Sequence, residues 1–86
     1  MNVRVHPSGF VVVSMPGCPY CSLVRSALSQ GGHTFVTIDL DTAEERALFK
    51  QEHGVPTFPQ VFHDGTRIGG YEATRFYLES GSTIRA

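Results

Sequence analysis

The sequence predicts an α/β domain in which a four-stranded mixed sheet is flanked by three helices. Three observations carry that prediction. Two β-branched and aromatic runs, Phe10-Val11-Val12-Val13 and Thr34-Phe35-Val36-Thr37-Ile38-Asp39-Leu40, bracket a helical pattern and so form a β-α-β unit. The pair Asp64-Gly65 sits between two further short strand-like segments, a strong hairpin signal. Gly31-Gly32, Gly54-Val55-Pro56 and Gly69-Gly70 fall where the order β-α-β-α-β-β-α needs a break.

Each element follows from its residues. Residues 1–9 form a short lead-in ending in the turn signal Pro7-Ser8-Gly9, and Val3 and Val5 alternate with Arg4 and His6 as an edge strand would. The domain itself is assigned to residues 10–86. The Val-rich run from Phe10 to Ser14 has the composition of a strand buried on both faces. The first helix begins near Cys18, with Pro19 in the first turn, where its missing N–H costs nothing, and it ends at Gly31-Gly32. After the second strand, Thr42 and Glu45 have the spacing of a capping box. Ala43, Ala47 and Leu48 supply an apolar stripe for that helix, which runs to about His53. Pro59 to His63 and Thr66 to Gly69 make the hairpin strands, and a last helix runs from Glu72 to Ser80 and stops at Gly81. A β-α-β crossover gives parallel strands and the hairpin adds antiparallel ones, the arrangement of a thioredoxin-like fold.

Composition removes several classes of function. The 86 residues suffice for a single modest core, and a formal net charge of -1, with both signs interspersed, gives no footprint for nucleic acid or anionic membrane. Met1 to His6 is too polar for a signal-peptide core and no apolar run reaches spanning length, so a cytoplasmic setting is expected. The two cysteines, Cys18 and Cys21, are too few for a disulfide scaffold. They lie at a strand-to-helix junction as Cys-x-x-Cys. There a thiol meets unpaired N–H donors and the positive end of the helix dipole, and both favour the thiolate that attacks disulfides. A structural zinc site needs four ligands, and none of the histidines is suitably paired. The histidines are read as solvated surface or strand-end residues. Redox chemistry is the better reading.

Three segments resemble the glutaredoxin family. Cys18-Pro19-Tyr20-Cys21 is similar to the active-site motif of its dithiol members. Thr57-Phe58-Pro59-Gln60-Val61-Phe62 resembles the family segment whose proline is cis, and Ile68-Gly69-Gly70-Tyr71 resembles its Gly-Gly segment. All three stand in the family's order and spacing, across residues 10–81. The resemblance implies a glutathione-dependent thiol–disulfide oxidoreductase that reduces protein disulfides and glutathione mixed disulfides. Cys18 would be the nucleophile and Cys21 the resolving thiol. The backbone of Phe58, beside a cis Pro59, would offer N–H and C=O to the ligand, with Thr57 in the same groove and Tyr20 as a wall. Gly70, Tyr71 and Glu72 would hold a glutathione carboxylate at the start of the last helix, where anions bind.

Two positions depart from the family. Met15 stands where members carry Lys or Arg, and Glu72 takes over from the usual Asp. Arg46 falls where a Gln or Arg touches the glycine carboxylate of glutathione. The resemblance implies no tightly bound cofactor; glutathione is the reducing co-substrate. Partners would be disulfide-bonded or glutathionylated proteins such as ribonucleotide reductase, with a monomeric enzyme, no nucleic acid and no membrane. The alternative is a thioredoxin-like electron donor recycled by a flavin reductase. Met15 leaves that open, and Cys-Pro-Tyr-Cys rather than Cys-Gly-Pro-Cys speaks against it. A third reading, an iron–sulfur or metal carrier, is disfavoured by Pro19, which stiffens the loop between the cysteines.

Overall fold

The computed structural model describes residues 8–80. The edge strand expected at Val3 and Val5 and the helix stop at Gly81 lie outside the described residues. The elements are β1 (Phe10–Ser14), α1 (Pro19–Gln30), β2 (Phe35–Asp39), α2 (Ala43–His53), β3 (Gln60–His63), β4 (Thr66–Gly69) and α3 (Tyr71–Glu79). Their order is the expected one. The ends of β2, β3 and α3 differ from expectation by a residue, because caps and strand pairing, rather than composition, decide where an element stops.

The four strands form a sheet in the order β2-β1-β3-β4. β1 pairs in parallel with β2, Phe10 opposite Phe35 and Ser14 opposite Asp39, and antiparallel with β3. The β3–β4 hairpin turns at Asp64 (φ 53°) and Gly65 (φ 84°), the left-handed pair that matches strand twist. The Asp64 carboxylate also accepts from the Gly9 N–H at 2.7 Å, and the Asp64 N–H donates to the Gly9 carbonyl at 2.9 Å.

Every residue of β1 is buried, as its composition predicts. Because side chains alternate along a strand, β1 feeds two cores. Val11 and Val13 pack with Leu40, Phe49, Val55 and Phe62 on the face covered by α2. Phe10 and Val12 pack with Val24, Leu28 and Val61 on the other face, where α1 and α3 lie and Tyr71, Tyr77 and Leu78 close the edge. Full burial of a Val, Leu or Phe side chain contributes about 1.5–3 kcal/mol, so these two layers supply most of the drive to fold.

The Thr42–Glu45 capping box is present in both directions, each hydrogen bond 3.1 Å long. The apolar stripe of α2 differs from expectation. Ala43 and Ala47 are exposed and Leu48 is half-buried, whereas Phe49 is fully buried. One phenyl ring buries far more area than two alanine methyls, so Phe49 sets the rotation of the helix.

Candidate active site

The site is built where β1 ends and α1 begins. Gly17, at φ +73°, makes the turn between them, a backbone conformation that a side chain disfavours. Cys18 follows as the N-cap of α1, extended at φ -96° and ψ 108°, and Pro19 opens the helix. The Cys18 sulfur accepts the N–H of Cys21 at 3.2 Å, taking the place that a serine or aspartate oxygen fills at other helix starts. It lies 3.9 Å from the carbonyl oxygen of Phe58, half-exposed. Both cysteines are free thiols.

Cys21, one turn further in, is 1 % exposed. Burial pushes its thiol up from an ordinary 9.0 to about 12, helped by the hydrogen bond to Cys18 and the charge there. A main-chain hydrogen bond from Met15 and the charge of Arg25 act in the opposite direction. The pair is thereby made unequal: an accessible sulfur backed by a helix N–H, and a hidden one held protonated.

Beyond Cys18 and the Phe58 carbonyl runs a groove of about 400 Å³ lined by Tyr20, Thr57, Phe58, Pro59, Gly70, Tyr71 and Glu72. These are seven of the eight groove residues predicted from the sequence; the eighth is Arg46. The Phe58–Pro59 bond is cis. The Tyr20 and Tyr71 rings stand 5.7 Å apart at one wall. At the floor, α3 starts at Gly70 with no side-chain cap, so its first N–H groups face the groove's end unclaimed by a side chain.

Arg46 is not brought into the groove. Its guanidinium donates to the Leu40 carbonyl at 2.9 Å and ties the start of α2 to the end of the β2 segment. Conversely, Gln60, which the sequence marks only as part of the segment 57–62, has a structural role at the site. It is 2 % exposed, donates to the Thr57 carbonyl at 2.9 Å and accepts from Arg67 at 3.2 Å, which braces the groove wall from below. A polar residue directly after Pro59 inside a strand pattern was the only available signal.

The described histidines are half-buried among aromatic rings rather than solvated, and His63 is a strand-end residue, the last of β3. His63 stacks on Phe10 at 3.9 Å and shares a hydrogen bond with Tyr77 at 2.6 Å, and His53 stacks on Phe49 at 4.2 Å. Among the described residues no cluster of three or more His, Cys, Asp or Glu is placed to hold a metal ion.

A parallel β-α-β unit with Cys-x-x-Cys at its strand-to-helix junction, facing a cis proline across the cleft, defines a thiol–disulfide oxidoreductase of the thioredoxin fold. The glutaredoxin family model matches residues 10–68, and the chain belongs to the glutaredoxin family. It is 33% identical over 84 residues to glutaredoxin-C2 of Arabidopsis thaliana, covering 93% of this chain and 76% of the relative. To a glutaredoxin of Ricinus communis it is 35% identical over 84 residues, covering 93% of this chain and 82% of the relative. Among solved structures, the buckwheat glutaredoxin–glutathione complex superposes with a TM-score of 0.75 at 31% identity, over 88% of this chain and 73% of that one.

Proposed function

We propose that the protein reduces glutathione mixed disulfides and protein disulfides, with glutathione as the reducing co-substrate. The placement of the Cys18 sulfur carries this reading: at the mouth of the groove, on a helix N–H, 3.9 Å from the Phe58 carbonyl. The likeness to a glutaredoxin solved with glutathione supports the choice of co-substrate.

The Cys18 thiolate attacks one sulfur of the substrate disulfide, and the other sulfur leaves as a thiolate and takes up a proton. For a glutathione mixed disulfide, glutathione stays on Cys18, and a second glutathione thiolate removes it as oxidised glutathione. For a protein disulfide, Cys21 loses its proton and attacks the Cys18 sulfur. The protein's second thiol is released, and a Cys18–Cys21 disulfide remains. Two glutathione molecules then reduce that disulfide. The ligand lies extended along Thr57, Phe58 and Pro59, with Phe58 N–H and C=O as its main-chain partners. A glutathione carboxylate occupies the start of α3 at Gly70, Tyr71 and Glu72, and Tyr20 walls the groove.

The test is NADPH consumption with glutathione, glutathione reductase and a small glutathione mixed disulfide, run beside a thioredoxin reductase coupling. Turnover with the glutathione system is expected. Turnover only with the flavin-dependent reductase would assign the protein to the thioredoxin-like donors instead.

A further inference from the structure

Cys18 opens onto a second cleft, on the side of α1 away from the glutathione groove. This cleft is about 620 Å³ and is lined in part by Met15, Ser22, Arg25, Asp39 and Asp41. Its charged groups are Arg25 from α1, Asp39 from the end of β2, and Asp41 from the turn after it. Met15, three residues before Cys18, contributes no charge. Arg25 is therefore the one cation among the described residues that line this cleft.

Arg25 does not wave in solvent. Its Nη1 donates to Ser14 Oγ at 3.4 Å and its Nη2 to Ser22 Oγ at 3.3 Å. Ser14, fully buried at the end of β1, donates its own hydroxyl hydrogen bond to Asp39 Oδ1. The guanidinium is thus tethered between the strand that ends at the active-site turn and the helix that carries both cysteines. It also lies four residues beyond Cys21, on the same helix face one turn along.

We infer that Arg25 is a positioning residue for the resolving step, holding a tethered positive charge one helical turn along from the Cys21 thiol that must become negative. This rests on the dithiol chemistry proposed above. In that step the Cys21 S–H bond breaks, a Cys21–Cys18 bond forms, and the Cys18–substrate bond breaks to release a thiolate that takes up a proton. Burial opposes the charge on Cys21, and Arg25 and the Met15 main chain are the groups that relieve it. Asp39 and Asp41 line the same cleft as Arg25, and Ser14 donates its hydrogen bond to Asp39 Oδ1.

The experiment mixes fully reduced protein with an excess of a synthetic disulfide-bonded peptide. The reaction is quenched in acid, and the Cys18–Cys21 disulfide is timed from pH 6 to 10. For Arg25→Gln the resolving rate is expected to fall about tenfold at each pH, equivalent to a displacement of roughly one pH unit from losing a nearby opposite charge. Arg25→Lys keeps the charge and is expected to stay within about threefold of the starting protein. Superimposed profiles for Arg25→Gln and the parent would overturn the inference. So would a lysine variant as slow as the glutamine one, which would make Arg25 a strut rather than a charge. Failure of the unaltered protein to form the Cys18–Cys21 disulfide would overturn the dithiol reading itself, and is read from a separate sample.

Discussion

Two sulfurs three residues apart on α1 meet different surroundings, and the difference is directly measurable. Cys18 stands half-exposed at the cap, and Cys21 lies beneath it with its thiol pushed up to about 12. Brief treatment of the reduced native protein with iodoacetamide at pH 8 is expected to modify Cys18 and spare Cys21, read by peptide mass mapping. Cys18→Ser is expected to abolish all turnover. Cys21→Ser is expected to retain reduction of glutathione mixed disulfides and to lose the dithiol route to protein disulfides. Retained activity in the Cys18 variant would sink the assignment of the nucleophile. Cys21 also links stability to pH. A thiol whose folded value lies above its ordinary 9.0 holds its proton more tightly when folded. Its contribution is complete below about pH 9 and is lost as pH rises towards 12. Urea midpoints of reduced protein measured from pH 8 to 11 are expected to fall more steeply than those of Cys21→Ser.

At the scale of elements, the capping box and the apolar stripe of α2 separate what sequence shows from what it hides. Removing the Thr42 hydroxyl with Thr42→Ala is expected to cost about 1 kcal/mol, readable in the urea midpoint. Phe49→Ala empties a fully buried site and is expected to cost about 3–5 kcal/mol, enough to unfold a marginal domain at room temperature. Thr42 and Glu45 were legible because their partners are three residues away in the chain. Phe49 was not, because the rotation of α2 depends on Val11, Val13 and Phe62, which come from other elements. The same contrast runs through the site. Cys18, Cys21 and the groove residues form short contiguous motifs, so their meeting was readable once the strand order was known. Arg46 had the right position along the chain, but its guanidinium is turned to the Leu40 carbonyl, a partner that chain position alone does not reveal. Gln60 and Arg25 each join a partner three residues away, Thr57 and Ser22, to one seven or eleven residues away, Arg67 and Ser14, and no local pattern announces the second.

At the scale of the whole molecule, one strand joins both halves of the interior. β1 pairs with neighbours on its two sides and contributes side chains to the layers above and below it. Weakening either layer therefore weakens the other, and a Val12→Ala change on the α1 face is expected to loosen the α2 face as well. Thermal unfolding followed by near-ultraviolet and far-ultraviolet circular dichroism is expected to show a single coincident transition for the parent and for this variant.

The central position of β1 also bears on how the molecule breathes. Among the described residues β1 is paired on both sides, whereas β2 and β4 are each paired on one side alone. In deuterium oxide, the main-chain protons of Val11, Val12 and Val13 should survive longest, those of the edge strands should exchange earlier, and the first turn of α3 should exchange first. The reactive sulfur hangs four residues beyond Ser14, the last residue of that slowest strand. Local opening of the groove beside Cys18 would therefore leave the strand that moors this sulfur intact.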